Sequence, residues 1–238
     1  MSRAELVLKS LSRQTFMPAN KEQISLSYAK TMATKASSML ANYGKNRTEI
    51  QRKEWEKAVE TYCKDTAPHL HIAESSGLVE GKTIREEIEH FISDKKPSLK
   101  PLVIVDYMQI IAAPPNTRMT DKQAVDANMT ELKRIARDNK VAIIAVSSFN
   151  RENYYTEVGY ESFKESGGID YGADAVLGLQ LVIDGNKEER RERYDEAKNA
   201  DPRTVELKVI KNRMFKSGGK IIFDYYPKYD CFCEAGIL

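Results

Sequence analysis

Cysteine and histidine are scarce in this chain, and neither is clustered. Three cysteines and three histidines occur among 238 residues. An odd number of cysteines without a Cys/His cluster argues against a disulfide framework and against a structural zinc site. His69 and His71 lie two residues apart, but no further candidate ligand is near them in the sequence. We therefore do not expect a metal site built from these residue types.

Neither a charge excess nor a long apolar run is present. The formal net charge is +2, so any attraction for nucleic acid has to come from local patches. No apolar run approaches the length of a membrane span, and the N-terminus has no signal-peptide pattern. We expect a cytoplasmic chain without a membrane partner. A single domain over residues 1–238 is expected, because this length can build one sizeable core.

The chain also lacks a glycine-rich phosphate-binding loop, which needs the pattern Gly-x-x-x-x-Gly-Lys-Ser/Thr between a strand and a helix. The tripeptide Gly81-Lys82-Thr83 is a near match. However, the preceding glycine, Gly77, is one residue too close, and no convincing buried strand comes before it. We predict that this tripeptide begins a helix.

What is present is an alternation of helical and strand patterns. Helices are predicted at 2–16 (with a capping box of Ser2 and Glu5), 21–41, 47–64, from Gly81 to Pro97, and 121–138. Strands are predicted at 70–73, 102–105, 141–146, 173–183, 205–210 and 220–226. Residues 151–172 are typical of an exposed loop, and 187–203 of a solvated helix or hairpin. The pattern predicts an α/β fold: a mostly parallel sheet flanked by helices, with antiparallel C-terminal strands.

The strand at 102–105 carries the most informative residue. Its continuous β-branched apolar run is typical of a strand buried on both faces, and it ends at Asp106. Open α/β sheets bind ligands at the carboxyl ends of their strands, and an acid there holds Mg²⁺ in nucleotide-hydrolysing folds. The alternative is that Asp106 only caps the following turn.

Five short segments in a fixed order extend this interpretation. They are 1–6 (Met-Ser-Arg-Ala-Glu-Leu), 103–111 (Val-Ile-Val-Asp-Tyr-Met-Gln-Ile-Ile), 147–151 (Ser-Ser-Phe-Asn-Arg), 163–174 (Phe-Lys-Glu-Ser-Gly-Gly-Ile-Asp-Tyr-Gly-Ala-Asp) and 211–214 (Lys-Asn-Arg-Met). In this order the chain resembles, over essentially its whole length, the motor domain of replicative helicases of the DnaB type, a branch of the RecA-like ATPases. The resemblance implies a RecA-like fold that is truncated at its N-terminus.

The resemblance implies a nucleotide site. Asp106 would hold Mg²⁺ through water beside ATP, with Gln109 and Ser148 as further nucleotide-binding residues. Ser148 departs from the glutamine that is typical of the family. Lys211 and Arg213 would act catalytically in the nucleotide site of a neighbouring subunit, with Arg213 as the arginine finger. The two residues are two apart on a predicted strand, so both should point the same way. The alternative is a mere basic pair on an edge strand.

The resemblance also implies contacts with single-stranded DNA. The residues concerned are Asn150, Arg151, Lys164, Glu165 and Gly167. Chemically, Lys164 can pair with a phosphate, and Gly167 allows a main-chain N–H to approach one. The alternatives are a surface charge at Arg151 and a mobile polar loop after it. The aromatic residues available for base stacking are Tyr154, Tyr155 and Tyr160, which the family pattern does not support.

The implied function is part of an ATP-dependent, ring-forming replicative DNA helicase. Its partners would be single-stranded DNA and either copies of itself or a subunit that carries the phosphate-binding loop, in a hexameric ring. The family places that loop and the catalytic glutamate before the segment that matches Met1. We therefore expect that this chain alone does not hydrolyse ATP at a useful rate.

Two alternatives differ from this function. One is a catalytically inactive DNA-binding or ring-partner module that supplies an arginine finger in trans. The other is a different RecA-like ATPase such as a recombinase, against which Asp106-Tyr-Met-Gln109 and Asn150-Arg151 argue. Missing strands would also leave an apolar sheet edge uncovered, which predicts association or marginal stability of the isolated chain.

Overall fold

The computed structural model describes residues 2–14, 49–75, 77–115, 117–163 and 172–235. The chain divides into two compact units. One contains residues 1–74, 196–205 and 222–238, and the other contains residues 75–195 and 206–221. The helix predicted at 21–41 lies outside the described residues. The expectation of a single domain over 1–238 stays a prediction.

The first unit is built on two helices, α1 (Arg3–Gln14) and α2 (Glu49–Thr61). The predicted capping box is confirmed, because Glu5 N donates to Ser2 Oγ (3.2 Å) and Ser2 N donates to the Glu5 carboxylate (3.1 Å). A π-helical turn, Tyr62–Thr66, and a 3₁₀ turn, Ala67–His69, follow α2. The apolar faces of these helices form one core cluster, made of Leu11, Ala58 and Tyr62 with Val7, Trp55 and Val59 packed against it.

The strand predicted at 70–73 is wrong. Residues 70–73 form no strand, and the carbonyl of Ile72 accepts a hydrogen bond from the Arg3 guanidinium. A strand is stable only where its backbone groups pair with a neighbouring strand. The apolar alternation of this segment is therefore not accompanied by a strand ladder.

The C-terminal hairpin of the first unit is closed by a partly buried hydrogen-bonded pair. Strand β6 (Cys231–Glu234) pairs antiparallel with β5 (Lys220–Tyr226), with Tyr226 opposite Cys231. The Tyr225 hydroxyl donates to Asp230 Oδ1 (2.8 Å), and Asp230 also pairs with Lys9 and Arg13 of α1, each at 3.2 Å. Burial, and then the hydrogen bond to Asp230, raise the pKa of Tyr225 from 10.0 to about 12.

The raised pKa of Tyr225 predicts a loss of stability in alkali. A group with a raised folded-state pKa contributes stability that is fully present below its unfolded pKa of 10.0 and is lost as the pH approaches about 12. We expect the free energy of unfolding, measured by urea titration, to fall across this interval. Tyr225→Phe should remove Tyr225's share of that fall. An unchanged pH profile in Tyr225→Phe would contradict the assignment.

The second unit contains the parallel strands that were predicted. Strand β1 (Leu102–Val105) pairs parallel with β2 (Ala142–Ala145), with Val103 opposite Ile143. Helices α3 (Gly81–Lys95) and α4 (Asp121–Asn139) cover one face of this pair. The start of α3 at Gly81 confirms that Gly81-Lys82-Thr83 begins a helix. The shared core cluster is Ile88, Ile111, Leu132, Ile135 and Val141.

The prediction that both faces of β1 are buried is wrong. Leu102 is 57% exposed, Ile104 62% and Ile144 51%, whereas Val103, Val105 and Ile143 pack against the core cluster. Residues two apart on a strand share a face, so one face of the β1–β2 pair carries apolar side chains that the described helices do not cover. Within the described residues, uncovered apolar surface therefore lies on a face of this pair. Association of the chain stays a prediction.

The buried and the exposed face of the β1–β2 pair should differ sharply in their contribution to the free energy of unfolding. Ile135 is fully buried, so Ile135→Ala removes packed methyl groups and leaves a cavity. We expect a loss of about 2–5 kcal/mol in the free energy of unfolding. The matched control, Ile104→Ala on the exposed face, should cost less than about 1 kcal/mol. Equal losses in urea titrations of the two variants would show that the exposed face is covered in solution.

A second sheet of four strands has the order β3-β4-β5-β6. Strand β3 is Ala175–Leu181 and β4 is Arg203–Asn212. The charge-dense segment forms a helix, α5 (Lys187–Asn199). The exposed loop predicted at 151–172 is only partly right, because Val158, Ser162 and Phe163 are buried. No helix in the described part of the chain is long and apolar enough to cross a membrane.

Candidate functional site

The carboxyl edge of the β1–β2 pair carries two polar side chains. Asp106 follows β1 directly and is exposed, and Ser148 stands three residues after β2. The backbone joins the two strand ends, because Val146 N donates to Val105 O (2.9 Å) and Met108 N donates to Val146 O (2.8 Å). The peptide bond between Asp106 and Tyr107 is cis. Asp106 therefore lies beside the end of the neighbouring strand.

Gln109 lies on the core side of this edge. It is in the 3₁₀ turn Met108–Ile110, and its Nε2 donates to Ser147 Oγ (2.9 Å). Its Oε1 is buried and has no hydrogen-bond donor among the described residues. Gln109 thus links the chain after β1 to the chain after β2. Ser147 was not among the predicted site residues, although the Ser147-Ser148 pair stands at the predicted end of this strand.

The donors at this edge suit a hard cation held mainly by water and phosphate. Asp106 contributes carboxylate oxygens and Ser148 a hydroxyl, which are the oxygen ligands that Mg²⁺ prefers. Among the residues that the structure describes, no group of three or more His, Cys, Asp or Glu side chains could hold a metal by itself. One exposed carboxylate fits Mg²⁺ that arrives with a nucleotide and keeps several waters.

The end of β2 is joined to the base of the predicted DNA loop. Phe149 forms an antiparallel bridge with Phe163, and their rings meet edge to face at 5.2 Å. Asn150 N donates to Ser162 O (3.0 Å), and Arg151 is exposed at the start of the 3₁₀ turn Arg151–Tyr155. Lys164, Glu165 and Gly167 follow Phe163 but lie outside the described residues. The structure therefore joins 149–151 to the start of that segment.

The other end of the same segment is fixed at Gly172. A Cβ atom at Gly172 would overlap the Met129 side chain, so any larger residue here would have to displace this side chain of α4. The Gly172 carbonyl accepts a hydrogen bond from Lys133 Nζ (2.8 Å). The described residues on either side of this segment, Phe163 and Gly172, both contact Met129 or the cluster around it.

Arg213 is held by Asp174 and does not lie on the strand. Strand β4 ends at Asn212, whose side-chain oxygen accepts from Met214 N (3.0 Å) and Phe215 N (3.1 Å) and so turns the chain. The prediction that Lys211 and Arg213 share a strand is therefore wrong for Arg213; Lys211 does lie on β4.

The contact between Arg213 and Asp174 uses both side chain and backbone. Arg213 Nη1 lies 2.9 Å from Asp174 Oδ1, and Arg213 N donates to Asp174 O (2.9 Å). Lys133 Nζ is 3.2 Å from the same carboxylate oxygen. The hydrogen bond from Lys133, with the charges of Lys133 and Arg213, lowers the pKa of Asp174 below 3.8. Sequence reasoning assigned no role to Lys133 or Asp174, although Asp174 closes the 163–174 segment.

Comparison with known structures identifies the class of fold. The fold is that of RecA-like helicase domains. One similar structure is described as that of a DnaB-like replicative helicase and its interactions with primase. The match covers 98% of this chain and 49% of the other chain, with a TM-score of 0.70 and 17% sequence identity. Another similar structure is described as an ATPase domain. That match covers 98% of this chain and 71% of the other chain, with a TM-score of 0.70 and 17% sequence identity.

Comparison of sequences identifies the family. The family model described as the DnaB-like helicase C terminal domain matches residues 3–234, so the chain belongs to this family. A curated relative, the replicative DNA helicase DnaB of Mycoplasma genitalium, is 30% identical over 160 residues. The match covers 61% of this chain and 33% of the relative, so it spans about a third of the relative's length.

Proposed function

We propose that this chain is part of an ATP-dependent, ring-forming replicative DNA helicase that couples ATP hydrolysis to DNA unwinding in the cytoplasm. The observation that carries the proposal is the carboxyl edge of the β1–β2 pair, where Asp106 is exposed beside the end of the next strand. Membership of the DnaB-like family supports it. The family match favours this function over an inactive DNA-binding module.

The chain's own residues at the nucleotide would act through position and charge. Asp106 would hold Mg²⁺ through water, and the bound ion would neutralise the charge that develops on the phosphates. Ser148 stands on the adjacent strand end, where a hydroxyl can donate a hydrogen bond to a phosphate oxygen. Gln109 would keep the two strand ends in register through Ser147. The sequence contains no Gly-x-x-x-x-Gly-Lys-Ser/Thr motif, so another polypeptide segment has to bind the phosphates.

Arg213 would serve the nucleotide of a neighbouring subunit, with Lys211 beside it. An arginine that enters a phosphoryl-transfer site stabilises the charge of the transition state. Here Asp174 would retain the guanidinium while no phosphate is present, since the pair is exposed to solvent and can exchange partners. A phosphate carries more charge than one carboxylate, so transfer of Arg213 from Asp174 to a phosphate is favourable.

Single-stranded DNA would meet the segment between Phe163 and Gly172. Lys164, Glu165 and Gly167 lie in this segment, and Asn150 and Arg151 lie next to its base. The bridge between Phe149 and Phe163 supports a mechanical link, because a displacement of the end of β2 reaches the base of the loop directly. This link offers a route from Ser148 to the DNA loop that does not need a long side chain at position 148.

The proposal is tested by ATP turnover. An affinity tag on this chain allows the native assembly to be isolated from its source cells. The assembly should hydrolyse ATP in the presence of Mg²⁺, and single-stranded DNA should stimulate the rate. The 238-residue chain alone should show little turnover. An assembly that binds single-stranded DNA but never hydrolyses ATP would favour the inactive module instead.

A further inference from the structure

The turn between β4 and β5 displays two large apolar side chains directly after Arg213. Met214 is 79% exposed and Phe215 is 77% exposed, so the described residues leave both of them uncovered. A single exposed apolar side chain is common on a protein surface, whereas adjacent ones that project together are typical of an interaction site. We refer to Met214 and Phe215 as the apolar pair. Its exposure indicates that a partner covers it.

The turn that carries the apolar pair is held in one conformation by hydrogen bonds. Asn212 Oδ1 accepts the backbone N–H of both apolar residues, at 3.0 and 3.1 Å. At the base of the turn, Gly218 N donates to Val209 O (2.8 Å), and Val209 N donates to Gly219 O (2.8 Å). Because the backbone is already ordered, a partner that binds the apolar pair loses less free energy to ordering the turn.

The residue types of the turn favour a protein partner over single-stranded DNA. Residues 213–215 are Arg-Met-Phe. Arginine, methionine and aromatic side chains are enriched in protein–protein interfaces. A site for single-stranded DNA uses aromatic rings on which successive bases stack, and residues 213–219 contain a single ring.

The proposed role of Arg213 determines which surface the apolar pair would meet. Two residues span at most about 7 Å of chain, so a turn that brings Arg213 to a neighbouring nucleotide also brings Phe215 to the surface around that nucleotide. In the neighbouring subunit this surface surrounds Asp106. The side chains beside Asp106 include Tyr107 and Val146, each of which is 41% exposed. A second copy of this chain therefore offers apolar surface where the apolar pair would arrive.

We propose that the apolar pair docks on Tyr107 and Val146, beside Asp106, in a second copy of this chain. The two surfaces differ, so the contact is heterologous, and contacts of this kind generate rings when the rotation between subunits closes. The inference rests on the proposed function, because it takes Arg213 as the finger of a neighbouring nucleotide site. It adds the apolar pair as positioning residues that hold Arg213 at that site.

Photo-cross-linking in the tagged native assembly tests the contact directly. Phe215→benzoylphenylalanine places a photoreactive ketone where the ring would dock. Leu99→benzoylphenylalanine is the matched control, since Leu99 is 82% exposed on the same unit. We expect irradiation of the first variant to join two copies of the chain, with the cross-link in the peptide that contains Tyr107 or Val146. A cross-link to DNA, to a different polypeptide or to another part of the chain overturns the proposal, as does a yield no higher than that of the control.

Dilution of the assembly measures how much the apolar pair contributes to association. Phe215→Ser should raise the concentration at which the assembly dissociates by about tenfold or more, because buried aromatic side chains are frequent hot spots of interfaces. Phe215→Leu should restore most of this loss, and the control Leu99→Ser should change the dissociation concentration by less than about twofold. ATP turnover of the Phe215→Ser assembly should recover at high protein concentration, since Arg213 is intact. Equal dissociation concentrations for Phe215→Ser and Leu99→Ser would contradict the docking.

The cross-link and the ATP turnover separate this inference from the proposed function. Cross-linking needs no ATP hydrolysis, so an assembly that hydrolyses ATP but lacks the cross-link overturns the docking and leaves the helicase function in place. An assembly that forms the cross-link without hydrolysing ATP supports the docking and contradicts the helicase function.

Discussion

Replacing Arg213 with alanine is expected to lower the ATP turnover of the native assembly by about 10³-fold or more. The guanidinium would stabilise charge that develops only in the transition state, so kcat should fall while the KM for ATP changes little. The tagged assembly, reconstituted with variant chain in every position, is measured at saturating ATP and single-stranded DNA.

Two further variants distinguish a role of Arg213 as an arginine finger from a purely structural contact. Arg213→Lys keeps the charge but loses the planar fork, so most of the rate should stay lost. Lys216→Ala removes an exposed cation nearby in the sequence and should leave the rate within about twofold. A loss below about tenfold in Arg213→Ala, in an assembly that hydrolyses ATP normally, would remove Arg213 from the catalytic set without removing the helicase function.

Asp174→Asn extends the same comparison to the residue that retains Arg213. The variant keeps the hydrogen-bonding shape but removes the charge that holds Arg213 Nη1 at 2.9 Å. If Asp174 only retains the guanidinium, turnover should persist. If the contact is purely structural, Arg213→Ala and Asp174→Asn should both lower thermal stability and leave kcat unaffected.

Replacing Asp106 with alanine is expected to lower ATP turnover by about a hundredfold or more. A metal at the phosphates contributes several kcal/mol of charge stabilisation, and Asp106 is the carboxylate that this edge provides. Because Asp106 is exposed and makes no described core contact, folding should be retained. ATP turnover as a function of Mg²⁺ concentration, with circular dichroism to verify the fold, is the measurement.

The Mg²⁺ dependence identifies the role of Asp106. Asp106→Glu retains a carboxylate on a longer stem, so part of the rate should return at higher Mg²⁺ concentration. The control Asp195→Asn removes an exposed acidic charge on α5 and should leave the curve unchanged. If the Asp106→Ala assembly has wild-type turnover and wild-type Mg²⁺ dependence, Asp106 only caps the turn after β1, which is the alternative that the sequence also allows.

The strand-end position of Asp106 could be predicted because a short apolar run followed by an acid is a local pattern. The burial of that strand could not be predicted. Leu102 and Val103 belong to the same apolar run, and only tertiary packing leaves Leu102 exposed and partly buries Val103. The prediction of a strand at 70–73 was wrong for a related reason. A strand needs a neighbouring strand to pair with, and a local pattern does not reveal one.

The contacts of the site residues were also beyond a local pattern. Asp174 and Arg213 are 39 residues apart in the chain, so no spacing rule connects them. The turn made by Asn212 takes Arg213 off the strand, and the spacing of Lys211 and Arg213 in the sequence does not reveal this turn. Likewise, Arg190 stood in a charge-dense run that is typical of a solvated helix, and burial of one of its charges is visible only in the fold.

Unwinding of a forked DNA duplex by the tagged native assembly tests the central claim most directly. The strand separation is followed with a fluorophore and quencher on opposite strands, in wild-type and Asp106→Ala assemblies at equal DNA occupancy. The account predicts separation that requires ATP and Mg²⁺ and is lost in the Asp106→Ala assembly. Separation that proceeds without ATP, or that is the same in both assemblies, would contradict it.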